Sequence, residues 1–310
     1  MMTKVYIDGS AGTTGLRIRE RFAGRSDIEL LTIPEELRKD NSTRQKLMNE
    51  SDITFLCLPD AAAIEAEALV TNPNVRVIDT STAHRTAAGW NYGFPELSDG
   101  HREALKTAKR VAVPGCHASG FNALVYPLVA GGILPADYPL CCYSITGYSG
   151  GGKTMIADYG AQDRPVELDS PRQYGVTQHH KHLREMKAVP GLAMEPIFAP
   201  IVSDYYSGMV VSIPLYSHLL AVPQTVESMK QYFKEYYSGQ SMIHVADEVP
   251  GFIAGNGLAG KDTMTILVSG NDERILLAAQ FDNLGKGASG AAIQCMNIML
   301  GLPENTGLEV

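Results

Sequence analysis

The sequence is sparing with cysteine. Only five of its 310 residues are cysteine, and they stand at positions 57, 116, 141, 142 and 295, with no C-x-x-C pair among them. This excludes a zinc ribbon or a disulfide framework, because both need cysteines at short, repeated spacings. Free thiols persist in a reducing compartment, and we therefore expect a cytoplasmic protein.

Positive charge is also scarce. Lys and Arg number 26 against 34 Asp and Glu, which gives a formal net charge of −8 and a pI of about 5.5. This balance argues against nucleic acid and anionic membrane surfaces as partners. No uninterrupted apolar run approaches membrane-spanning length, and we expect no signal peptide before the first strand pattern. With 45% hydrophobic residues, the chain is expected to form one large or two ordinary globular domains.

The N-terminus reads as strand, glycine-rich turn and helix. Residues 4–8 (KVYID) predict a buried strand, and Gly9, Gly12 and Gly15 follow at G-x-x-G-x-x-G spacing before a helical pattern. Glycine permits a tight turn there and lets a pyrophosphate reach backbone N–H groups at the helix start. We therefore predict a dinucleotide site, with a plain strand–helix turn as the alternative. The residues expected to contact the cofactor here are Gly9, Ser10, Gly12, Thr13, Thr14 and Gly15.

The end of the second predicted strand bears on which dinucleotide binds. Residues 28–33 lead into Pro34, where an NAD-preferring site usually places an acid on the ribose 2′-OH. Arg38 and Lys39, with the hydroxyls of the glycine-rich turn, could receive a 2′-phosphate, which favours NADP(H). Glu35 keeps NAD open, and Arg38 and Lys39 could instead belong to a solvated helix face.

The rest of the chain divides into two patterns. Apolar runs at 52–58 and 74–79 alternate with helical segments, which predicts a parallel, doubly wound α/β sheet. Beyond residue 140, strand patterns at 202–214 and 264–279 flank a helical pattern at 225–237, which predicts an α+β domain with a mixed or antiparallel sheet. We expect a Rossmann dinucleotide-binding domain at 1–115 and a second domain at 116–285.

Cys116 stands at the change from one pattern to the other. A short apolar run ends at Val113, Pro114-Gly115 breaks it, and helical spacing begins by Ser119. A thiol at a helix N-terminus has a lowered pKa and becomes a usable nucleophile, and free N–H groups of the first turn can hold an oxyanion. We predict that Cys116 is the nucleophile; the alternative is a buried, inert cysteine.

A second candidate group is the histidine-rich segment at 179–182 (HHKH). An imidazole supplies an acid or base near neutral pH. His182 is the first candidate, with Glu185 orienting it, and His180 is the second. Zinc binding and a solvated polar turn are the alternatives, but no further cysteine or histidine set completes a tetrahedral shell, so no metal is expected.

Residues 114–120 (PGCHASG) resemble the P-G-C-[FY]-x-T-G nucleophile signature of the N-acetyl-gamma-glutamyl-phosphate reductases. These belong to the aspartate-semialdehyde dehydrogenase-like group. His117 replaces the usual aromatic residue and Ser119 the usual threonine, which is similar to the family's shorter, type 2 class.

Further segments carry the same resemblance in family order. Residues 79–85 resemble D-L-S-x-D-[FY]-R, residues 147–153 resemble S-G-x-S-G-[AG]-G-[RK], and residues 180–185 resemble H-R-H-x-P-E, with Arg184 in place of proline. Residues 282–290 resemble D-N-L-x-K-G-A-[AS]-G. The loop at 147–154 also matches a P-loop literally, which is the alternative interpretation of that segment.

The resemblance implies that a C-terminal helix at 286–310 completes the dinucleotide-binding domain and that 116–285 is a catalytic and dimerisation domain. It also implies roles for these segments. Ser81, Gly150 and Asn283 are expected at the cofactor, with Asn283 near the nicotinamide carboxamide. The residues expected at the substrate are Arg85, Ser149, Lys153 and Tyr174.

The implied activity is NADPH-dependent reduction of N-acetyl-gamma-glutamyl phosphate to N-acetylglutamate 5-semialdehyde, through a thioester on Cys116, in arginine biosynthesis. A homodimer or homotetramer is expected. The alternatives are the same chemistry on aspartyl or N-acetyl-aminoadipyl phosphate, and a non-catalytic dinucleotide-binding sensor.

Overall fold

The computed structural model describes residues 2–310. The chain forms two compact units. The first comprises the residues up to Gly115 together with Ala288–Leu308, and the second comprises Cys116–Gly287 with Glu309–Val310.

The first unit contains a six-stranded sheet in which every pairing is parallel. Its strands are β1 (Thr3–Asp8), β2 (Ile28–Leu31), β3 (Ile53–Leu56), β4 (Arg76–Asp79), β5 (Asn91–Tyr92) and β6 (Arg110–Ala112). The helices of this part are α1 (Thr13–Phe22), α2 (Asn41–Glu50), α3 (Asp60–Glu67) and α4 (Asp99–Thr107). The strand order β2-β1-β3-β4-β6-β5 reverses direction beside β1, so the predicted doubly wound sheet is confirmed.

Burial explains why these short runs form central strands. All four residues of β3 are buried, as are the last four of β1, which is typical of parallel strands covered on both faces. β2 ends at Leu31, two residues earlier than its apolar run predicts, because the chain has left the sheet before Pro34.

The C-terminal helix α9 (Gly290–Met299) completes the first unit and is buried on every side. Its polar side chains are paired, since Gln294 donates to Glu96 Oε1 at 2.7 Å and Asn297 accepts from Arg25 at 2.7 Å. The helix is shorter than the expected span 286–310. It ends in a Schellman motif at Gly301, whose φ is +72°, with the Leu302 N–H donating to the Asn297 carbonyl at 2.9 Å.

The second unit contains a seven-stranded mixed sheet in the order β11-β12-β13-β10-β7-β9-β8. The β7–β9 and β11–β12 pairs are parallel and the other pairs antiparallel, which confirms the predicted mixed sheet. The strands are β7 (Cys141–Gly147), β8 (Arg172–Gln173), β9 (Ile197–Ser203), β10 (Met209–Tyr216), β11 (Ile243–Val245), β12 (Met264–Gly270) and β13 (Arg274–Phe281). Each of the two long strand patterns seen in the sequence is therefore two strands with a turn between them.

Helix α5 (Cys116–Ala130) packs against β10 and β13, and α8 (Val226–Tyr236) packs against β11 and β12. Pro127 lies inside α5 and has no N–H to donate to the Ala123 carbonyl. The Tyr237 hydroxyl donates to that carbonyl at 2.7 Å, and Tyr232 donates to the Pro127 carbonyl at 2.6 Å. Tyr232 in α8 and Tyr237 just after it thus supply hydrogen bonds to carbonyl groups around Pro127. These bonds stabilise α5, the helix that begins at Cys116.

The remaining helices of the second unit are α6 (Gly152–Gly160) and α7 (Leu183–Ala188). Across residues 2–310, no helix has both the length and the apolar character needed to cross a membrane.

Candidate active site

Cys116 is the first residue of α5 and is half-buried, while the next nine residues of the helix are fully buried. The helix begins three residues before the point at which helical spacing is evident in the sequence. N–H groups of a first helical turn have no partner within the helix and carry the positive end of its dipole. The Cys116 side chain therefore stands where an anion is stabilised.

Gly287 lies against Cys116. A Cβ atom at Gly287 would fall 3.0 Å from the Cys116 Cβ and 3.2 Å from the Asp282 carbonyl oxygen. The glycine-rich segment that precedes α9 thus passes close to the thiol only because it carries no side chain there. Sequence reasoning missed this position, although it lies within the motif at 282–290.

Five rings pack together beside Cys116, and we call them the ring cluster: His117, Tyr174, His180, His182 and Phe198. The His117 ring lies 5.7 Å from His180 and 5.5 Å from His182, centroid to centroid, and the two latter rings are 4.7 Å apart. Phe198 lies 5.2 Å from His117 and 5.1 Å from His180. The structure therefore brings both candidate acid–base histidines and Tyr174 to the residue that follows Cys116.

His117 is the centre of the ring cluster and was not among the predicted site residues. Its Nδ1 lies 2.6 Å from Ser144 Oγ and its Nε2 lies 2.6 Å from the Tyr174 hydroxyl. Burial, with a smaller contribution from His180, lowers the pKa of His117 to about 3, so the ring is neutral at physiological pH. The sequence signal for this role was His117 itself, a polar ring at the position where the family signature has Phe or Tyr.

Tyr174 faces the same site. Burial raises the pKa of its hydroxyl, and the negative charge of a nearby Cys116 thiolate raises that pKa further. The phenol is therefore protonated and lies within electrostatic reach of the nucleophile.

The two candidate histidines differ in burial. His182 is 6% exposed and His180 is half-buried, and His180 Nδ1 accepts a hydrogen bond from the His182 backbone N–H at 3.1 Å. Glu185 is buried in the first turn of α7, which begins directly after His182. Both histidines lie in the ring cluster, and their acid–base roles and the orienting role of Glu185 stay predictions.

The histidine-rich segment is anchored by Gln178. Its side-chain amide donates to the Phe198 carbonyl at 2.8 Å and accepts from the Phe198 N–H at 2.9 Å. Gln178 has a φ of +57°, in the left-handed region that side chains other than glycine seldom adopt. The segment that carries His180 and His182 is thereby fixed to β9, a feature that no sequence signal indicated.

The loop after β7 is tied to Asn283. The Asn283 amide donates to Ser149 Oγ at 3.0 Å and accepts from the Gly208 N–H at 2.8 Å, and Gly150 lies beside it. Lys153 is exposed in the first turn of α6. A P-loop needs a parallel nucleotide-binding unit, whereas β7 belongs to the mixed sheet, so the P-loop alternative does not fit.

In the first unit, the glycine-rich turn has the geometry that a dinucleotide needs. Gly9 has a φ of +85°, and a Cβ there would lie 2.2 Å from the Cys57 carbonyl oxygen at the end of β3. Helix α1 begins after Gly12 with no side-chain cap, which leaves its first N–H groups to a ligand. Ser10, Thr13 and Thr14 are half-buried around this turn. These residues fit a pyrophosphate on the α1 N-terminus.

The residues expected to choose between NADP and NAD contact each other. Arg38 is paired with the exposed carboxylate of Glu35, one helical turn earlier. Nearby in sequence, Arg44 forms an ion pair of 2.7 Å with Asp8, at the carboxyl end of β1. A 2′-phosphate at Arg38 would therefore have to compete with Glu35 for the guanidinium.

Ser81 and Arg85 are held by the loop after β4. Asp79 is fully buried. Its carboxylate accepts a hydrogen bond from Ser81 Oγ at 2.7 Å and lies 2.7 Å from His84 Nδ1. Arg85 donates to the Val113 carbonyl at 2.8 Å and to the Thr80 carbonyl at 3.1 Å. Arg85 thus braces the chain just before Pro114-Gly115, and its substrate role stays a prediction.

No group of three or more His, Cys, Asp or Glu side chains with metal-binding geometry occurs in the part of the chain that the structure describes.

Two family models match this chain. Residues 3–108 match "Semialdehyde dehydrogenase, NAD binding domain", and residues 116–283 match "Semialdehyde dehydrogenase, dimerisation domain". The fold and the cysteine-centred site therefore define an oxidoreductase of the semialdehyde dehydrogenase class, as predicted.

Curated relatives narrow the class. The chain is 46% identical over 318 aligned residues to "N-acetyl-gamma-glutamyl-phosphate reductase 2" of a Nostoc species, covering 98% of this chain and 99% of the relative. It is 46% identical over 308 residues to the enzyme named N-acetyl-gamma-glutamyl-phosphate reductase in Sinorhizobium medicae, covering 97% and 99%. The chain belongs to the semialdehyde dehydrogenase family and, within it, to the N-acetyl-gamma-glutamyl-phosphate reductases, as its motifs predicted.

Solved structures share the fold at much lower identity. Aspartate semialdehyde dehydrogenase II of Vibrio cholerae superposes with a TM-score of 0.72 at 15% identity, covering 97% of this chain and 99% of that one. The enzyme of Candida albicans, solved with NADP, gives 0.68 at 16% identity, covering 99% and 100%. These likenesses confirm the predicted two-domain α/β fold.

Proposed function

We propose that this protein reduces N-acetyl-gamma-glutamyl phosphate to N-acetylglutamate 5-semialdehyde with NADPH, releasing phosphate, as a step of arginine biosynthesis in the cytoplasm. The observation that carries the proposal is Cys116 at the start of α5 beside the ring cluster. It supplies a nucleophile and imidazoles for proton transfer in one place.

The first half-reaction is carried out by Cys116. The Cys116 thiolate attacks the acyl carbon, a C–S bond forms, and the C–O bond to phosphate breaks. First-turn N–H groups of α5 stabilise the oxyanion formed during the attack. A thioester remains on Cys116, which divides one difficult reduction into two easier steps.

The second half-reaction reduces the thioester. Bound NADPH supplies the hydride for this step. As the C–S bond then breaks to release the aldehyde, His182 holds and returns the proton, with His180 as the second candidate and Glu185 as the residue that orients His182. In this step the protein keeps the proton within the site and restores the Cys116 thiolate.

We assign the cofactor contacts to the glycine-rich turn and to four further residues. The glycines and hydroxyls of the turn hold the pyrophosphate. The cofactor set is Gly9, Ser10, Gly12, Thr13, Thr14, Gly15, Arg38, Ser81, Gly150 and Asn283.

We assign the substrate contacts by charge and by hydrogen-bonding capacity. Lys153 is exposed at a helix start and suits a phosphate, and the Tyr174 hydroxyl lies within electrostatic reach of Cys116. Arg85 and Ser149 complete the proposed substrate set.

The second sheet offers a surface for self-association. Five apolar side chains between 36% and 63% exposed share the face opposite Ser144 and α5: Tyr143, Ile145, Ile197, Tyr216 and Leu276. A contiguous apolar face of this kind is typical of a protein–protein interface. We propose that it joins two copies in a homodimer, from which a homotetramer could be built.

The test is turnover of the purified protein with NADPH and three acyl phosphates: N-acetyl-gamma-glutamyl, aspartyl and N-acetyl-aminoadipyl phosphate. We expect the first to have the highest kcat/KM. Cys116→Ser should abolish reduction and leave dinucleotide affinity nearly unchanged, because Cys116 attacks the substrate and is not among the proposed cofactor contacts. If another acyl phosphate gives a higher kcat/KM, that compound and not N-acetyl-gamma-glutamyl phosphate is the preferred substrate. NADPH binding without turnover of any of them would favour the sensor alternative.

A further inference from the structure

The hydrogen bonds of His117 form a chain that runs from inside the second sheet to the active site. Ser144 lies on β7 and is fully buried, His117 is 2% exposed, and Tyr174 lies within electrostatic reach of Cys116. Both links measure 2.6 Å, at the short end of the range for hydrogen bonds. The ring cannot turn without breaking both links, so its orientation is fixed.

This chain has a direction, because a neutral imidazole has one donor nitrogen and one acceptor nitrogen. In one arrangement Ser144 donates to Nδ1, and Nε2–H donates to the Tyr174 oxygen, which leaves the Tyr174 O–H for another acceptor. In the other arrangement the Tyr174 O–H donates a hydrogen bond to Nε2, and the Tyr174 oxygen can then only accept hydrogen bonds from groups in the site. The two arrangements make Tyr174 a donor or an acceptor toward Cys116.

The charge at Cys116 selects between them. Tyr174 lies within electrostatic reach of Cys116, and an O–H directed at a thiolate forms a charge-assisted hydrogen bond. When the O–H points to the sulfur, a lone pair of the Tyr174 oxygen faces Nε2, and Nε2 must then carry the proton. Ser144 completes this arrangement as the donor to Nδ1.

We propose, on the basis of the proposed function, that His117 is a positioning residue: it takes the Nε2–H tautomer, with Ser144 as the donor to Nδ1, and directs the Tyr174 O–H at the Cys116 sulfur and the acyl oxygen beside it. His117 itself exchanges no proton during turnover. Its effect passes entirely through Tyr174.

The first test uses thiol alkylation and needs neither substrate nor cofactor. Iodoacetamide labelling at Cys116 is followed by mass spectrometry at pH 7 and at pH 10. His117→Phe keeps a ring but removes both hydrogen bonds, and should slow labelling at pH 7 about 3- to 10-fold. Labelling at pH 10, where the thiol ionises without help, should change little. His244→Phe, at an exposed position of β11, is the matched control and should match wild type.

A double-mutant cycle then separates positioning from general damage. In a Tyr174→Phe background, His117→Phe should cause no further loss of labelling or of kcat, because the Tyr174 hydroxyl through which His117 acts is already absent. His117→Gln, whose amide can donate from a position close to Nε2, should restore most of the wild-type rate, and Ser144→Ala should show a smaller loss than His117→Phe. Additive losses in the double variant, or unchanged pH 7 labelling in His117→Phe, would overturn the proposal.

The two proposals fail in different ways. If wild type reduces no acyl phosphate, the proposed function fails, while the labelling cycle still decides the role of His117. If turnover is present and the cycle is additive, only the positioning role fails. Should His117→Phe not fold, Ser144→Ala and His117→Gln carry the same comparison in the Tyr174→Phe background.

Discussion

The Gln178 side chain pairs with both main-chain groups of Phe198, as a neighbouring strand would. These two bonds hold a left-handed residue at the start of the histidine-rich segment, and the Phe198 ring itself packs on His117 and His180. The position of the two candidate acid–base histidines therefore depends on an amide that has no proposed part in the reaction.

From this we predict that Gln178→Ala lowers both turnover and stability. Two neutral hydrogen bonds are lost, which should cost about 1–3 kcal/mol in the free energy of unfolding, and kcat should fall because the segment loosens. Urea unfolding and steady-state kinetics measure the two effects. Gln173→Ala, an exposed glutamine on β8, is the control and should leave both unchanged. Full activity in Gln178→Ala would show that the anchor is dispensable.

The second prediction concerns cofactor choice. Because Pro34 stands where an acid would hold a ribose 2′-OH, and Arg38 can receive a 2′-phosphate, kcat/KM should be higher with NADPH than with NADH. Arg38→Ala should lower kcat/KM for NADPH about 10- to 100-fold and leave that for NADH nearly constant, since a charge-assisted contact to phosphate is lost.

The Glu35–Arg38 pair sharpens this test. Glu35→Gln removes the carboxylate that competes for the guanidinium, so the preference for NADPH should increase. Lys39→Ala, next to Arg38 and exposed, serves as the charge-matched control. Equal or better use of NADH by the wild-type enzyme contradicts the assignment of Arg38.

The third prediction separates the two candidate histidines. Proton transfer by a positioned imidazole contributes about 10²–10⁴-fold, so His182→Asn should lower kcat by that factor, or about 3–5 kcal/mol of barrier. The thioester on Cys116 should still form slowly and be detectable by mass spectrometry. His180→Asn should mainly raise KM. If His180→Asn loses turnover and His182→Asn does not, the roles are reversed; if neither loses more than a few-fold, the acid–base group lies elsewhere.

These sites differ in how far they could be predicted from the sequence. The turn at Gly9, the helix start at Cys116 and the two sheets were predictable because glycine spacing and apolar periodicity are local signals. The role of His117 was not, since its partners lie 27 and 57 residues away along the chain. Gln178 was missed for the same reason: its bonds to Phe198 span 20 residues and depend on a backbone conformation that no pattern specified.

The pH dependence of stability follows from the buried His117. Its pKa is about 3 in the folded protein and about 6.5 when exposed, so the unfolded chain binds the proton more readily. The stabilisation is complete above about pH 6.5 and is lost as the pH falls from there toward 3, at up to about 1.4 kcal/mol for each pH unit. Between pH 7 and pH 5, His117 should therefore account for a loss of about 2 kcal/mol.

Urea unfolding of wild type and His117→Phe at both pH values isolates this contribution, because the other titrating groups are common to both proteins. His117→Phe should be less stable than wild type at pH 7, where two hydrogen bonds are missing, yet lose about 2 kcal/mol less on acidification to pH 5. His244→Phe, which removes an exposed imidazole, should retain the full acid sensitivity of wild type. Parallel acid profiles for wild type and His117→Phe would mean that His117 gains a proton in the folded state without cost, and that the ring is not held neutral by burial.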